Sequence, residues 1–258
     1  MPPEHQRPQP GPNPGPNPGL LPGAHLGRVR ETLYYAGSPA VRIACRPAAA
    51  PAPGQYLLAL PAGAAAAPPF GAGTPPLALP LFAAGGHREG SFLAAPPAPA
   101  AWGPGTELAL RGPFGTPFRL PAGLRRLALA ALGESVARLM PLVEAALEAG
   151  SAVTLYTAAP LPPLPAAVEA LPLEALPEAP AWADFMALDL PLEALPGLRL
   201  RLGLDPGAAP ACPAQALVHA PMPCGGLGQC GACAVEGRRG WLLACEDGPV
   251  FDLSDLRY

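Results

Sequence analysis

Lysine is absent from this sequence: all 16 basic residues are arginine, set against 19 acidic ones. The formal charge of -3 comes without a basic block. The chain therefore lacks the electrostatic footprint that phosphate backbones require, and no nucleic-acid partner is expected. Short pairs such as Arg125-Arg126 and Arg238-Arg239 read as solvated faces. Also missing is any run of about 18 apolar residues free of proline and charge. The opening MPPEHQRPQP has neither the charged start nor the apolar stretch of a secretory signal. A cytoplasmic protein with no membrane partner is expected. The four histidines, at positions 5, 25, 87 and 219, sit in no recognisable arrangement with a serine or cysteine, which sets nucleophilic catalysis aside.

Proline and glycine are abundant instead, at 42 and 30 residues. Together with arginine in place of lysine, this composition indicates GC-rich codons, so much of the alanine and proline carries little structural information. Half of the residues are nonetheless hydrophobic, enough to build a buried core in two modest domains. Residues 1-24 contain GPNPGPNPG, which cannot bury enough apolar surface to offset its ordering entropy, and read as a disordered tail.

From residue 25 to 121 short strands alternate with turn clusters, at 28–35, 40–45, 56–60, 77–82, 91–93, 107–110 and 118–120. This spacing predicts an antiparallel β-barrel. Over 122-207 the pattern becomes α/β. A strand at 126–132 is followed by a helix over 134–149, with Val136, Leu139, Met140, Val143 and Leu147 on one side and Gly150 as its stop. A second strand at 152–156 completes a βαβ unit with parallel strands. Repeated prolines between Leu161 and Pro196 block long helices, so the rest of this domain should be abbreviated, with one more strand at 198–202. The fold class expected is multi-domain β plus α/β.

Residues 208-258 carry the chemistry. Cys224, Cys230 and Cys233 stand in Cys-Gly-Gly-Leu-Gly-Gln-Cys-Gly-Ala-Cys, and Cys245 follows after eleven residues. A binuclear iron–sulfur cluster takes four thiolates, commonly three from one wrapping loop and one from elsewhere. Gly225, Gly226, Gly228 and Gly231 allow positive φ and bring backbone N–H groups toward inorganic sulfide. Between Cys233 and Cys245, Ala-Val-Glu, Gly-Arg-Arg-Gly and Trp-Leu-Leu-Ala read as strand, turn and strand, a hairpin that returns Cys245 toward Cys233. In a reducing compartment, clustered cysteines are metal ligands more often than disulfides. The reading is a [2Fe-2S] centre on Cys224, Cys230, Cys233 and Cys245. A four-thiolate zinc site and unligated thiols remain the alternatives. Cys45 and Cys212 read as ordinary buried residues, Cys212 also as a spare thiol beside the site. His219, just before the loop, reads as a satisfied buried imidazole, the alternatives being that it tunes the centre or ligates it.

At these residues the sequence resembles the electron-transfer subunit of dihydroorotate dehydrogenase, in the ferredoxin–NADP reductase-like superfamily. The resemblance rests on Met222-Pro223-Cys224-Gly225, on the cysteine loop, and on Cys245-Glu246-Asp247-Gly248-Pro249-Val250-Phe251. Upstream, Pro53-Gly54-Gln55-Tyr56 resembles the family's strand-entry motif, and Gly112-Pro113-Phe114-Gly115-Thr116-Pro117-Phe118 the segment that closes its barrel. The resemblance implies a barrel of FAD-binding type, a reductase-like α/β domain and a cluster. It also implies a catalytic oxidoreductase subunit as partner, of the flavin-containing dihydroorotate dehydrogenase kind. Three departures stand out. Five residues, where the family has four, separate Cys224 from Cys230, the extra one absorbed at Gly225 or Gly226. The family's FAD-binding stretch is here Leu79-Pro80-Leu81-Phe82, without cation or hydroxyl, and His87 and Arg88 just beyond read as an exposed turn. FAD is left open. The turn Leu132-Gly133-Glu134-Ser135-Val136 keeps one glycine of a dinucleotide-binding loop, and Glu134, read as a first-turn acid of the helix, opposes an anion. NAD is not expected. The chain is thus read as an electron-transfer subunit rather than a stand-alone catalyst, the alternative being a non-catalytic scaffold or assembly protein with a structural metal centre.

Overall fold

The computed structural model describes residues 23–62, 78–85 and 90–258. The tail expected at 1-24, apart from its last two residues, and the His87-Arg88 turn lie outside them.

Six strands form the first sheet: β1 (His25–Tyr35), β2 (Ser38–Ala44), β3 (Tyr56–Pro61), β4 (Leu79–Phe82), β5 (Ser91–Ala94) and β6 (Glu107–Phe114). They lie in the order β4-β3-β6-β1-β2-β5, every pair antiparallel. The Ala83–Ala94 bridge, with Ala84 N–H donating to Leu93 O and Ala95 N–H to Phe82 O, joins the two ends and closes the barrel. The alternation of buried and exposed residues along β1 is the period-2 signature of a strand with one face inward. Val29, Val41, Ile43, Leu57, Phe92 and Leu110 fill the interior. Ala36 and Gly37, both at positive φ, make the two-residue turn between β1 and β2. No strand forms at 118–120. Pro117 and Pro121 flank that segment, and its N–H groups bond elsewhere, Phe118 to Pro53 O and Arg119 to the Gln215 side chain.

The second sheet contains β7 (Arg126–Ala131), β8 (Ala152–Thr157), β9 (Val168–Leu171), β10 (Phe185–Pro191), β11 (Ala214–His219) and β14 (Val250–Asp252). Their order is β14-β11-β10-β7-β8-β9, parallel throughout except for β14. The chain winds outward from β7 through β8 to β9, then crosses back to β10 and β11. The reversal puts a topological switch point between the C-terminal ends of β7 and β10. The expected helix is shorter than 134–149. A 3-10 turn at Ala137–Leu139 leads into α1 (Met140–Glu148), because Pro141 is tolerated only in a first turn. Glu134 is therefore exposed upstream of the helix and not a first-turn acid, while Ser135 Oγ accepts the Ala137 N–H. Gly150, at φ 77°, ends the helix as its sequence indicates.

Prolines do keep the later helices short. The segment Leu-Glu-Ala-Leu-Pro occurs twice, at Leu173–Glu178 and Leu192–Gly197, and each copy is a 3-10 stretch running into one α-turn, α2 (Ala179–Trp182) and α3 (Leu198–Arg201). The strand expected at 198–202 is thus a helix. In a strand Leu198, Leu200 and Leu202 would share a face, but Leu198 and Leu202 are buried while Leu200 is 85% exposed, the signature of an i, i+4 pair.

Between β11 and β14 the chain makes the cysteine loop and the expected hairpin, β12 (Ala234–Gly237) and β13 (Gly240–Leu243), with Val235 paired to Leu242 and Glu236 to Trp241. One core unites this hairpin and the parallel sheet with Tyr56, Leu58, Phe82 and Phe118. The protein is a barrel joined to an α/β sheet, with the cysteine segment set on the sheet's final pair of strands.

Candidate metal centre

The loop that leaves β11 turns at once, Gly225 N–H donating to Met222 O at 2.9 Å. Gly225, Gly226, Gly228 and Gly231 all have φ between 68° and 72°, left-handed backbone that side chains rarely adopt. Gly226 and Gly228 are also needed for close approach. A Cβ on Gly226 would lie 3.0 Å from the Tyr56 hydroxyl, and one on Gly228 would lie 2.5 Å from Glu246. Gly225 faces open space, so it is the glycine with room to take up the extra residue between Cys224 and Cys230.

This winding gathers the four thiols in two pairs. Cys233 Sγ and Cys245 Sγ are 3.3 Å apart and both residues are buried. The return of the hairpin, fixed by Ala244 N–H donating to Cys233 O, sets that distance. Cys224 and the exposed Cys230 form the second pair through their side chains. Backbone N–H groups of Gln229 and Leu227, then the Cys230 side chain, stabilise the Cys224 thiolate and hold its pKa down at about 6. Burial, followed by the Cys233 side chain, pushes Cys245 up to about 11, against an opposing N–H from Gly228. Among the described residues no three His, Cys, Asp or Glu side chains surround a single ion position. Thiols with amides aimed at sulfur fit an iron–sulfur cluster, and four thiolates would also fit a tetrahedral zinc.

Cys212 is buried and Cys45 half-buried, both outside the loop, and burial raises both thiols' pKa. His219 corrects its sequence reading: its Nε2 is buried with no hydrogen-bond partner among the described residues, 3.9 Å from Asp189 Oδ1.

Three motifs that look separate in the sequence meet beside the loop. Gly54, at φ 90°, would place a Cβ 2.5 Å from Val250 Cγ2, and Gly115 would place one against Pro249. Thr116 N–H donates to Gly248 O at 2.6 Å, and Gln55 Nε2 donates to Gly115 O. The strand-entry motif, the barrel-closing segment and the stretch after the last cysteine therefore make one joint. Tyr56 completes it, its hydroxyl donating to Cys245 O at 3.0 Å.

Sequence reasoning missed the cluster of charge at the switch point. Arg138 Nε donates to both carboxylate oxygens of Asp189, at 3.1 and 3.0 Å, and its guanidinium lies 5.8 Å over the Phe82 ring of β4. Asp189 is 1% exposed, and burial raises its pKa against the opposing pull of Arg138. The only signal was a lone acid inside an apolar strand. For a flavin, β4 offers apolar surface; none of Leu79, Pro80, Leu81 and Phe82 carries charge or hydroxyl, and the guanidinium over Phe82 is engaged with Asp189.

Residues 219–257 match the family model described as the iron–sulfur cluster binding domain of dihydroorotate dehydrogenase B. No curated protein matches the chain in sequence. Among solved structures, it is similar to a chain of the NADH-dependent reduced ferredoxin-NADP oxidoreductase studied for flavin-based electron bifurcation. The identity is 19%, 92% of each chain is covered and the TM-score is 0.65. The ferredoxin reductase of carbazole 1,9a-dioxygenase, at 16% identity, aligns over 70% of this chain and 65% of its own with a TM-score of 0.51. A cytochrome P450 reductase from Amycolatopsis, also at 16%, aligns over 70% and 66% with the same score. The chain thus combines a ferredoxin reductase-like fold with a C-terminal iron–sulfur cluster binding domain of the dihydroorotate dehydrogenase B type.

Proposed function

We propose that the chain is an electron-transfer subunit holding a [2Fe-2S] cluster on Cys224, Cys230, Cys233 and Cys245, and that it passes electrons to or from a catalytic oxidoreductase subunit of the dihydroorotate dehydrogenase kind. The observation that carries this reading is the meeting of a three-cysteine loop, whose amides point at sulfur, with Cys245 returned to it by the hairpin. Cys233 and Cys245 anchor the buried side. Cys224 and Cys230 hold the side nearest solvent, where a partner's redox centre can approach. When bound, such a cluster supplies a one-electron carrier. FAD on the barrel would convert electron pairs to single electrons, with β4 as its apolar support. The cation and hydroxyl contacts that its phosphates and ring require are not met by the described residues of β4, so the cluster relay is proposed independently of it. A nicotinamide cofactor is not proposed, because Arg138 and Asp189 occupy the switch point with each other.

That occupied switch point also favours a second reading, a scaffold whose metal centre is structural. One experiment separates the two. Protein purified anaerobically is analysed for iron, sulfide, zinc and released flavin, and its visible spectrum is followed during dithionite addition. About two irons and two sulfides per chain, with visible bands that bleach reversibly, are expected. Stoichiometric zinc, or a cluster that neither dithionite nor a co-purified oxidoreductase reduces, would overturn the relay.

A further inference from the structure

Tyr56 belongs to the barrel, as the first residue of β3, yet its hydroxyl lies in the cysteine segment 189 positions away in sequence. The ring is 1% exposed. It is held between Phe82 and Phe114, at centroid distances of 5.9 and 5.8 Å and tilted 45° to each. Gly115 lies against the ring and Gly226 against the hydroxyl, which donates to the main-chain carbonyl of Cys245. A phenylalanine would fill the same space and make the same ring contacts. Packing therefore accounts for the ring and not for the oxygen. Burying a hydroxyl is costly unless it is hydrogen-bonded, and here the Cys245 carbonyl accepts its proton.

We infer that Tyr56 is a positioning residue of the metal centre, whose hydroxyl holds Cys245 and raises the reduction potential of the cluster. The inference rests on the iron–sulfur reading above. The O–H dipole presents its positive end to the peptide of a ligand residue in a dry environment, where electrostatic interactions are stronger than in water. Reduction adds negative charge to the cluster, so a donor so placed favours the reduced state. Hydrogen bonding around ligand residues and solvent exposure are established means of setting such potentials. The aromatic row Phe82, Tyr56 and Phe114 also ties this donor to β4 and to the Arg138–Asp189 pair, so the barrel and the switch point both bear on the position of one ligand.

The test is a redox titration monitored by electron paramagnetic resonance on wild type, Tyr56→Phe and Tyr34→Phe, with iron and sulfide counted in each. Tyr34 is 80% exposed and serves as the control. Tyr56→Phe is expected to keep wild-type iron and sulfide and to become three- to tenfold harder to reduce, tenfold being about 59 mV for one electron. Tyr34→Phe should not move. A fully loaded Tyr56→Phe protein with an unchanged or more positive potential overturns the inference. If that variant fails to load, 3-fluorotyrosine at position 56 provides the second measurement: a stronger donor of nearly the same size should shift the potential positive, and no shift overturns the inference. Wild type without iron and sulfide would instead overturn the iron–sulfur reading.

Discussion

Replacing Arg138 with methionine is expected to cost about 3–5 kcal/mol of stability, the range for removing one partner of a buried ion pair. The structure supports a value in that range. Asp189 is 1% exposed and the Arg138 side chain 12%, so little solvent is available to replace the lost guanidinium. The other cationic candidate, His219, is held neutral, its pKa lowered to about 3 by burial and then by Arg138 itself. Methionine keeps most of the stem but removes the guanidinium from Asp189 and from over the Phe82 ring, leaving the carboxylate alone. With a urea m-value of about 3 kcal/mol per molar, the unfolding midpoint should fall by roughly 1–1.7 M. Burial has already raised the Asp189 pKa, so the folded state holds its proton at a higher pH than the unfolded state does. The deficit should therefore be largest near neutrality and shrink as the pH falls and Asp189 protonates. The double replacement Arg138→Met with Asp189→Leu removes both charges and should recover to within about 1 kcal/mol of wild type, or exceed it. A single variant costing less than about 1 kcal/mol, or a double variant as unstable as the single, would refute the reading of this pair as a desolvated charge pair.

Serine at Cys224, Cys230, Cys233 or Cys245 should reduce iron and sulfide content sharply, with the largest loss at the buried Cys233 and Cys245. The same change at Cys45 or Cys212 should leave both at wild-type stoichiometry, as measured by metal and sulfide analysis. Gly115→Ala forces a side chain into left-handed backbone and against Pro249, so it should destabilise by about 2–4 kcal/mol in urea unfolding. The lowered pKa of His219 means that the unfolded state takes up a proton between pH about 6.5 and about 3 that the folded state refuses. Stability from this group is therefore present above 6.5 and lost as pH falls through that window, with Arg138 and Asp189 facing the imidazole. His219→Leu should flatten the stability profile there; an unchanged slope would count against it.

The metal segment was the most legible part of the sequence, because thiolate spacing, left-handed glycines and a hairpin with a turn-forming centre are all local features. The barrel was legible for a similar reason, as turn clusters recur between alternating strands. The α/β sheet was less so. Phe185–Pro191 and Ala214–His219 are buried on both faces and give continuous apolar runs that carry no period. Alternating leucines at Leu198, Leu200 and Leu202 imitated a strand, and only the exposure of Leu200 distinguishes a helical turn. What could not be read at all was non-local. That Tyr56 meets Cys245 and that Gly54 meets Val250 depend on how the barrel packs against the rest of the chain, and that Arg138 reaches Asp189 depends on β7 and β10 lying side by side, which no window of sequence contains.

The position of the cysteine segment between β11 and β14 has a bearing on newly made chains. β14 is only three residues long and covers β11 through Gln215–Asp252, Ala216–Phe251 and Leu217–Val250, with Gln215 Nε2 donating to Asp252 Oδ1. The intervening loop anchors it from one side, and the barrel holds it from the other, through Thr116 N–H on Gly248 O and the close approach of Gly54 to Val250. Were these anchors lost, release of the short strand would uncover the outer edge of β11, a row of main-chain donors and acceptors with apolar side chains, the kind of template on which chains stick together. Resistance to aggregation therefore leans on the joint between the barrel and this strand: Gly115→Ala, which strains that joint, should yield clumped as well as less stable protein.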